Sequence, residues 1–239
     1  MMNCRVLLMS MLLVLVTCGC SSAEAPNLSS NDSTVTSRSS ATLTMQALGD
    51  SILDWNEELS TPDVLAEILK ERGVSAQILN NAVSGATLGC GDNGYGDPDN
   101  CVPPQYVQGQ WDYILMSGGA NDIDLADCEL SADTFVSPQL DAGYTVELID
   151  GFVAAGSKVL LYSYFYPRDA NHRFNSCTPI FTLMERYKAL AKSRDDIILV
   201  DASSVISSAD TEMYDEDGVH PSEKGSRKVA ELIANVLGL

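Results

Sequence analysis

From residue 43 onward, short apolar runs alternate with longer stretches whose apolar residues recur at helical spacing. Leu43–Leu48 reads as a first strand that stops at Gly49. Val64, Leu65, Ile68 and Leu69 then form one face of a helix, with Thr61 as its N-cap, Pro62 at its first position and Gly73 as its stop. Residues 76–79 predict a second strand and Tyr113–Met116 a third, which runs into Ser117, Gly118 and Gly119. Val146, Ile149, Phe152 and Val153 mark the inner side of a helix over about 142–155, ended by Gly156. A fourth strand over 158–164, a helix over about 180–193 and a fifth strand over 197–200 follow. The last helix starts after Pro221 with Ser222 as its cap, and Val229, Leu232, Ile233, Val236 and Leu237 form its stripe.

This rhythm is largely that of crossover connections. It predicts an α/β domain, a parallel sheet covered on both faces by helices. In such sheets ligands bind beyond the carboxyl ends of the strands. The ~200 residues after position 41 suit one domain with a proper core, and no internal repeat divides them.

The segment ahead of that domain has a different character. Arg5 precedes an unbroken apolar run from Val6 to Val16, too short to span a bilayer and suited to the core of a signal peptide over 1–19. Thr17-Cys18-Gly19-Cys20 follows and resembles the lipidation site of bacterial lipoproteins. Cys20 is the expected lipidated residue, with Cys18 or plain cleavage as alternatives. Residues 20–41 are rich in Ser, Thr, Asn and Ala and read as a flexible tether, because they offer too little apolar surface to offset their ordering entropy. The expectation is an exported protein, either an envelope lipoprotein with a weak preference for the outer membrane or a secreted one.

Charge narrows the partners. The chain carries a formal −19, and residues 1–19 hold one Arg and no acid, so the processed form is near −20. Nothing basic is available to replace phosphate counterions, which argues against nucleic acid. The same charge disfavours anionic lipid headgroups, leaving membrane contact to the lipid anchor alone. Cys90, Cys101, Cys128 and Cys177 are an even set in an exported chain and predict two disulfides. Three pairings are open. In one of them Cys90–Cys101 closes a short Gly- and Asp-rich loop while Cys128–Cys177 joins two longer ones.

The candidate chemistry sits at the strand ends. Ser51 follows Gly49-Asp50 at the end of the first strand, where a sharp turn can expose a hydroxyl. A serine hydroxyl needs a neighbouring base to become a nucleophile. His220 is one of only two histidines and lies three residues after Asp217, a spacing that lets the carboxylate hold one ring nitrogen while the other faces Ser51. Asn121 and the backbone amides of Ser51 and Gly85 can donate to an oxyanion. Taken singly, each has a plainer reading: a capping serine, a surface histidine among Asp215, Glu216 and Asp217, a strand-end turn, a tight bend. Their order along one sheet favours the shared reading.

Gly49-Asp50-Ser51, Ser84-Gly85, Gly119-Ala120-Asn121-Asp122 and Asp217-Gly218-Val219-His220 together resemble the four blocks of the SGNH, or GDSL, hydrolase family, over residues 43 to 239. The resemblance implies a three-layer α/β/α flavodoxin-like fold with a five-stranded parallel sheet. It implies a Ser51, His220, Asp217 triad and an oxyanion hole of Ser51, Gly85 and Asn121. It also implies no metal or organic cofactor. The expected activity is a serine esterase working through an acyl-enzyme, favouring short acyl groups on a small-molecule or glycan ester and acting as a monomer. Alternatives are a lysophospholipase or thioesterase-type lipid hydrolase, a glycan O-acyltransferase using the same residues, or a binding lipoprotein on a borrowed fold.

Other residues have weaker claims. Asp50 is expected to brace the nucleophile turn and Asp122 to hold the loop carrying Asn121. His172 is expected to be a solvated loop residue, and most of Tyr162, Tyr164, Phe165 and Tyr166 to be core or strand-end packing, with lining of an acyl or sugar pocket as the alternative for Phe165 or Tyr166. The Asp- and Asn-rich segment 92–100 lacks the order of an EF-hand and reads as a turn-rich loop instead of a calcium site.

Overall fold

The computed structural model describes residues 42–92 and 94–239. The leader, Cys18, Cys20 and the tether lie outside the described residues.

The first strand, β1 (Leu43–Leu48), leads into a one-turn helix, α1 (Ser51–Asp54), and then α2 (Thr61–Glu71) and β2 (Ala76–Asn80). After a long loop come β3 (Tyr113–Met116), a short α3 (Ala120–Leu125), α4 (Tyr144–Ala154) and β4 (Lys158–Ser163). The chain ends with α5 (Thr178–Ser193), β5 (Ile197–Asp201) and α6 (Glu223–Val236). The five strands form one sheet in the order β2-β1-β3-β4-β5, and every pair is parallel. The order reverses at β1 and β3, so their carboxyl ends flank the crevice of a doubly wound sheet.

Hydrophobic patterning explains the layers. Ile114, Leu115 and Met116 of β3 and 159–163 of β4 are buried, as expected of central strands covered on both faces. The α2 face of Val64, Leu65, Ile68 and Leu69 is buried, as are Val229, Ala230, Ile233 and Ala234 of α6, and these two helices pack together. Leu183, Tyr187 and Leu190 bury the stripe of α5 against β4 and β5.

Several boundaries differ from the sequence expectation. Ser60, not Thr61, is the N-cap of α2, held extended at φ −60 and ψ 160. Its hydroxyl donates to the Asp63 carboxylate, and Thr61 becomes the first helical residue. Ser222 does cap α6, accepting from Gly225 N at 3.2 Å. The one-turn helices α1 and α3 were not anticipated, because four to six residues are too few to display a helical period.

The cysteines pair as Cys90–Cys101 and Cys128–Cys177. The first closes the Gly- and Asp-rich loop after β2. The second joins the segment just past α3 to the N-cap of α5.

Candidate active site

The end of β1 is shaped by a residue that must be glycine. Gly49 has φ +150, and a Cβ there would collide with Ser117 Oγ. Having left the ladder, its backbone is clasped by one side chain: Gly49 N donates to Gln105 Oε1 at 2.7 Å and Gln105 Nε2 donates to Gly49 O at 2.9 Å, an oxygen that also accepts from Val83 N at 3.0 Å. Asp50 then caps α1, accepting from Ile52 N at 3.3 Å. Its carboxylate is buried and also accepts from Ser117 Oγ at 2.8 Å and Tyr164 Oη at 2.6 Å. Asp50 is thus a brace facing the core, as expected, and Ser51 opens the helix facing the crevice.

His220 meets Ser51 from the loop before α6. Ser51 Oγ donates to His220 Nε2 at 2.7 Å, and His220 Nδ1 donates to Asp217 Oδ2 at 2.5 Å. Asp217 Oδ1 accepts from the backbone N of Val219 at 2.8 Å and of His220 at 3.0 Å. Burial alone would push the Asp217 carboxyl up, but the bonds from the His220 ring and these two amides outweigh it and hold the pKa below the ordinary carboxylate value. An ionised Asp217 accepts only, so it fixes the imidazole proton on Nδ1 and leaves Nε2 free to take the serine proton.

The opposite wall comes from α3 and the loop after β2. Gly119, at φ +97, caps α3 and places Asn121 in its first turn, so Asn121 is helical and not a strand-end turn residue. Asn121 Nδ2 donates to Ala86 O at 2.9 Å, which ties α3 to the loop carrying Gly85 at φ +79. A primary amide has two N–H bonds, so a second remains for a substrate oxygen. Asp122 is buried and accepts from Leu88 N at 2.8 Å and Gly89 N at 2.9 Å. It therefore ties the segment that carries Asn121 to residues 88–89.

Ser51, Gly85, Asn121 and His220 all border one cavity of about 280 Å³. Its far wall is apolar: Phe165, Phe174, Ile180, Phe181 and Met184. For Phe165 this is the alternative that the sequence left beside packing. Tyr166 is instead 44% exposed and packs its ring against Phe181, tilted by 32° with centroids 5.3 Å apart. His172 stays off the cavity, and its Nδ1 accepts from Phe174 N at 3.3 Å to cap a short turn. The α5 residues were missed because Ile180 and Met184 also belong to its buried stripe; the apolar Phe181, beside that stripe, was the available signal. Trp55 was missed too, lying beside His220 although nothing in its sequence neighbourhood marks it. Among the described residues no group of three or more His, Cys, Asp or Glu is placed to hold a metal ion.

Fold and site define a class, the hydrolases built on a doubly wound parallel sheet. More particularly, the chain belongs to the GDSL-like lipase/acylhydrolase family, whose model matches residues 47–228. No curated protein matches the chain. Among solved structures, a protein named as a candidate SGNH hydrolase from Slackia heliotrinireducens is 24% identical, with a TM-score of 0.57 over 82% of this chain and 100% of that one. The acetylxylan esterase Axe2 from Geobacillus stearothermophilus is 16% identical, with a TM-score of 0.60 over 82% of this chain and 94% of its own. The psychrotrophic esterase EstA from Pseudoalteromonas sp. is 15% identical, with a TM-score of 0.55 over 82% and 96%. At these identities the likeness is one of fold.

Proposed function

We propose that the protein is a serine esterase that cleaves carboxylic esters through an acyl-enzyme and favours short acyl groups. The observation that carries this reading is the continuous chain Ser51–His220–Asp217 opening onto an apolar cavity. Ser51 Oγ attacks the acyl carbon as its proton passes to His220 Nε2. The oxyanion is received by the amides of Ser51 and Gly85 and by Asn121 Nδ2, and Asp217 stabilises the imidazolium. The ester C–O bond then breaks and the departing alkoxide takes the proton from Nε2. Water, deprotonated by the same nitrogen, attacks the acyl-enzyme and releases the acid. No step calls on a metal or an organic cofactor.

Size supports the acyl preference. A cavity of about 280 Å³ lies just below the usual range of ligand pockets, roughly 300 to 1,000 Å³. One observation favours a second reading, hydrolysis of longer lipid-like chains: the tilted Phe181–Tyr166 pair continues the apolar wall out to solvent. Export is supported by the two disulfides, since such bonds persist in oxidising compartments.

Hydrolysis of nitrophenyl esters from acetate to palmitate tests the proposal, with Ser51→Ala as control. Turnover that needs Ser51 and falls with chain length is expected. A rise with length selects the lipid reading. Turnover that survives Ser51→Ala overturns both.

A further inference from the structure

Trp55 has no part in the chemistry described so far, yet it lies against the proposed base. Its ring stacks on His220 with centroids 3.7 Å apart and planes 6° from parallel. Its Nε1–H donates to Asp215 Oδ2 at 2.7 Å. Its backbone N donates to Ser51 O at 2.9 Å, so the aromatic plate and the nucleophile share a single helical turn. The next residue, Asn56, is left-handed at φ 74 and donates from Nδ2 to Pro221 O at 2.9 Å and Ser226 Oγ at 3.0 Å.

The loop these residues grip is closed on itself. Asp215 N donates to His220 O and Gly218 N donates to Asp215 O, both at 3.0 Å. Tyr214 and Pro221 pair across its base, and Asp217 ties down Val219 and His220 from within. These bonds tie the loop to itself, and on the side of β4 Arg168 N donates to Gly218 O at 2.8 Å and Tyr214 Oη to Tyr166 O at 2.6 Å. What the loop lacks internally is a fixed distance from Ser51. Trp55 grips it at Asp215 and Asn56 grips it at Pro221, either side of His220.

We propose that Trp55, keyed by Asp215 and assisted by Asn56, is the positioning residue that sets the plane of His220 and its distance from Ser51. The proposal rests on the reading of Ser51 and His220 as nucleophile and base. Face-to-face stacking is the less favoured arrangement for two neutral rings, but an aromatic face attracts a cation. The plate therefore favours the imidazolium that forms as Ser51 attacks. Displacing a reacting group by about 1 Å can cost a hundredfold in rate, so a plate that holds the ring acts on kcat and not on substrate affinity.

The test uses the full chain and two readouts, nitrophenyl acetate turnover and the rate of covalent labelling by a fluorophosphonate, which needs the nucleophile and base but no particular acyl pocket. Trp55→Ala is expected to lower both kcat and the labelling rate by about a hundredfold while KM stays within about twofold. Trp55→Phe keeps an aromatic face and is expected to recover to within about tenfold of the parent. Trp55→Phe and Asp215→Ala break the same hydrogen bond, so the double variant should be no slower than the slower single one. Trp111→Phe, whose ring bonds Val107 O away from the site, is the unchanged control. Circular dichroism and melting of each variant report folding, and the Phe and Asp215 variants carry the test if Trp55→Ala fails to fold. A Trp55→Ala enzyme with unchanged kcat, or with only a raised KM, overturns the proposal, as do additive losses in the double variant. Labelling that persists in Ser51→Ala overturns the underlying reading; labelling lost there but intact in Trp55→Ala overturns the positioning role alone.

Discussion

Tyr164 Oη donates a 2.6 Å hydrogen bond to Asp50 Oδ2 in the wall behind Ser51. The phenol belongs to the segment leaving β4 and the carboxylate to the turn leaving β1, so the bond fixes the nucleophile turn against the sheet. Burial raises the pKa of Asp50, opposed first by the Tyr164 bond and then by those from Ser117 and Ile52 and by the nearby His220. Burial likewise pushes the Tyr164 phenol well up, so it stays a donor.

Tyr164→Phe removes the strongest of the groups that oppose the rise. A carboxyl whose folded pKa exceeds its unfolded value contributes stability that is full below the unfolded pKa and is lost as pH rises through the folded one. The variant should therefore be destabilised by about 1–2 kcal/mol near neutral pH and by less in acid, where Asp50 is protonated. Urea unfolding in acid, below the ordinary carboxylate pKa, and at about pH 8 measures the difference. Equal losses at both would show that the phenol does not serve the carboxylate.

Asp217→Asn separates geometry from charge. Asn retains an oxygen for the amides of Val219 and His220 but turns an NH2 toward His220 Nδ1, which forces the ring proton onto Nε2. The base is then blocked where it meets Ser51, and kcat should fall by about 10³–10⁴ with KM little changed. Stability should respond as well. The depressed pKa of Asp217 contributes stability present above the unfolded carboxylate value and lost as pH falls through the folded one. The variant should lose that acid-limb dependence in urea titrations, and an unchanged acid limb would argue against the Asp217–His220 hydrogen bond.

The sheet and the site's chemical groups were legible in the sequence for a common reason. Buried parallel strands such as 114–116 and 159–162 are short apolar runs, and the glycines after β1 and β3 mark where the chain must turn. Ser51 and Asn121 sit beside such glycines, and Asp217 and His220 flank Gly218 in the loop before α6, so reading the turns pointed to the residues that border the crevice. What stayed hidden depends on contacts between distant segments. Gln105 clasping Gly49, Asp122 reaching Leu88 and Gly89, and Trp55 lying on His220 leave no local pattern. Asp122 shows the difference well: its place beside Asn121 was evident, but its partners lie more than thirty residues away.

Asn121→Ala tests the oxyanion assignment. The substitution removes one donor and should lower kcat by about a hundredfold or more. It also releases Ala86 O, so part of the loss could arise from a shifted Gly85 loop. Affinity for a boronate that mimics the tetrahedral state distinguishes the two. It should weaken in proportion to kcat if Asn121 donates to the oxyanion, and Asn121→Asp, with no donor in its ionised form, should be no better than Ala. A boronate bound as tightly as by the parent would remove Asn121 from the oxyanion hole.

The disulfides should be unequal in stability and in effect on the site. Cys128 and Cys177 are 49 residues apart and Cys90 and Cys101 are 11 apart. Chain entropy predicts a loss of about 4 kcal/mol on removing the first and about 3 kcal/mol on removing the second. Cys177 is the N-cap of α5, whose Ile180, Phe181 and Met184 wall the cavity, whereas Cys90–Cys101 closes the loop that carries Asp97 and Asn100 outside it. Replacing Cys128 and Cys177 by Ser should therefore alter the acyl-length profile, while the other pair should lower the melting point and leave the profile in place. The ester series on both double variants, run below their melting temperatures, checks this. An unchanged profile in the Cys128/Cys177 variant would mean that α5 holds its position through packing of Leu183, Tyr187 and Leu190 alone.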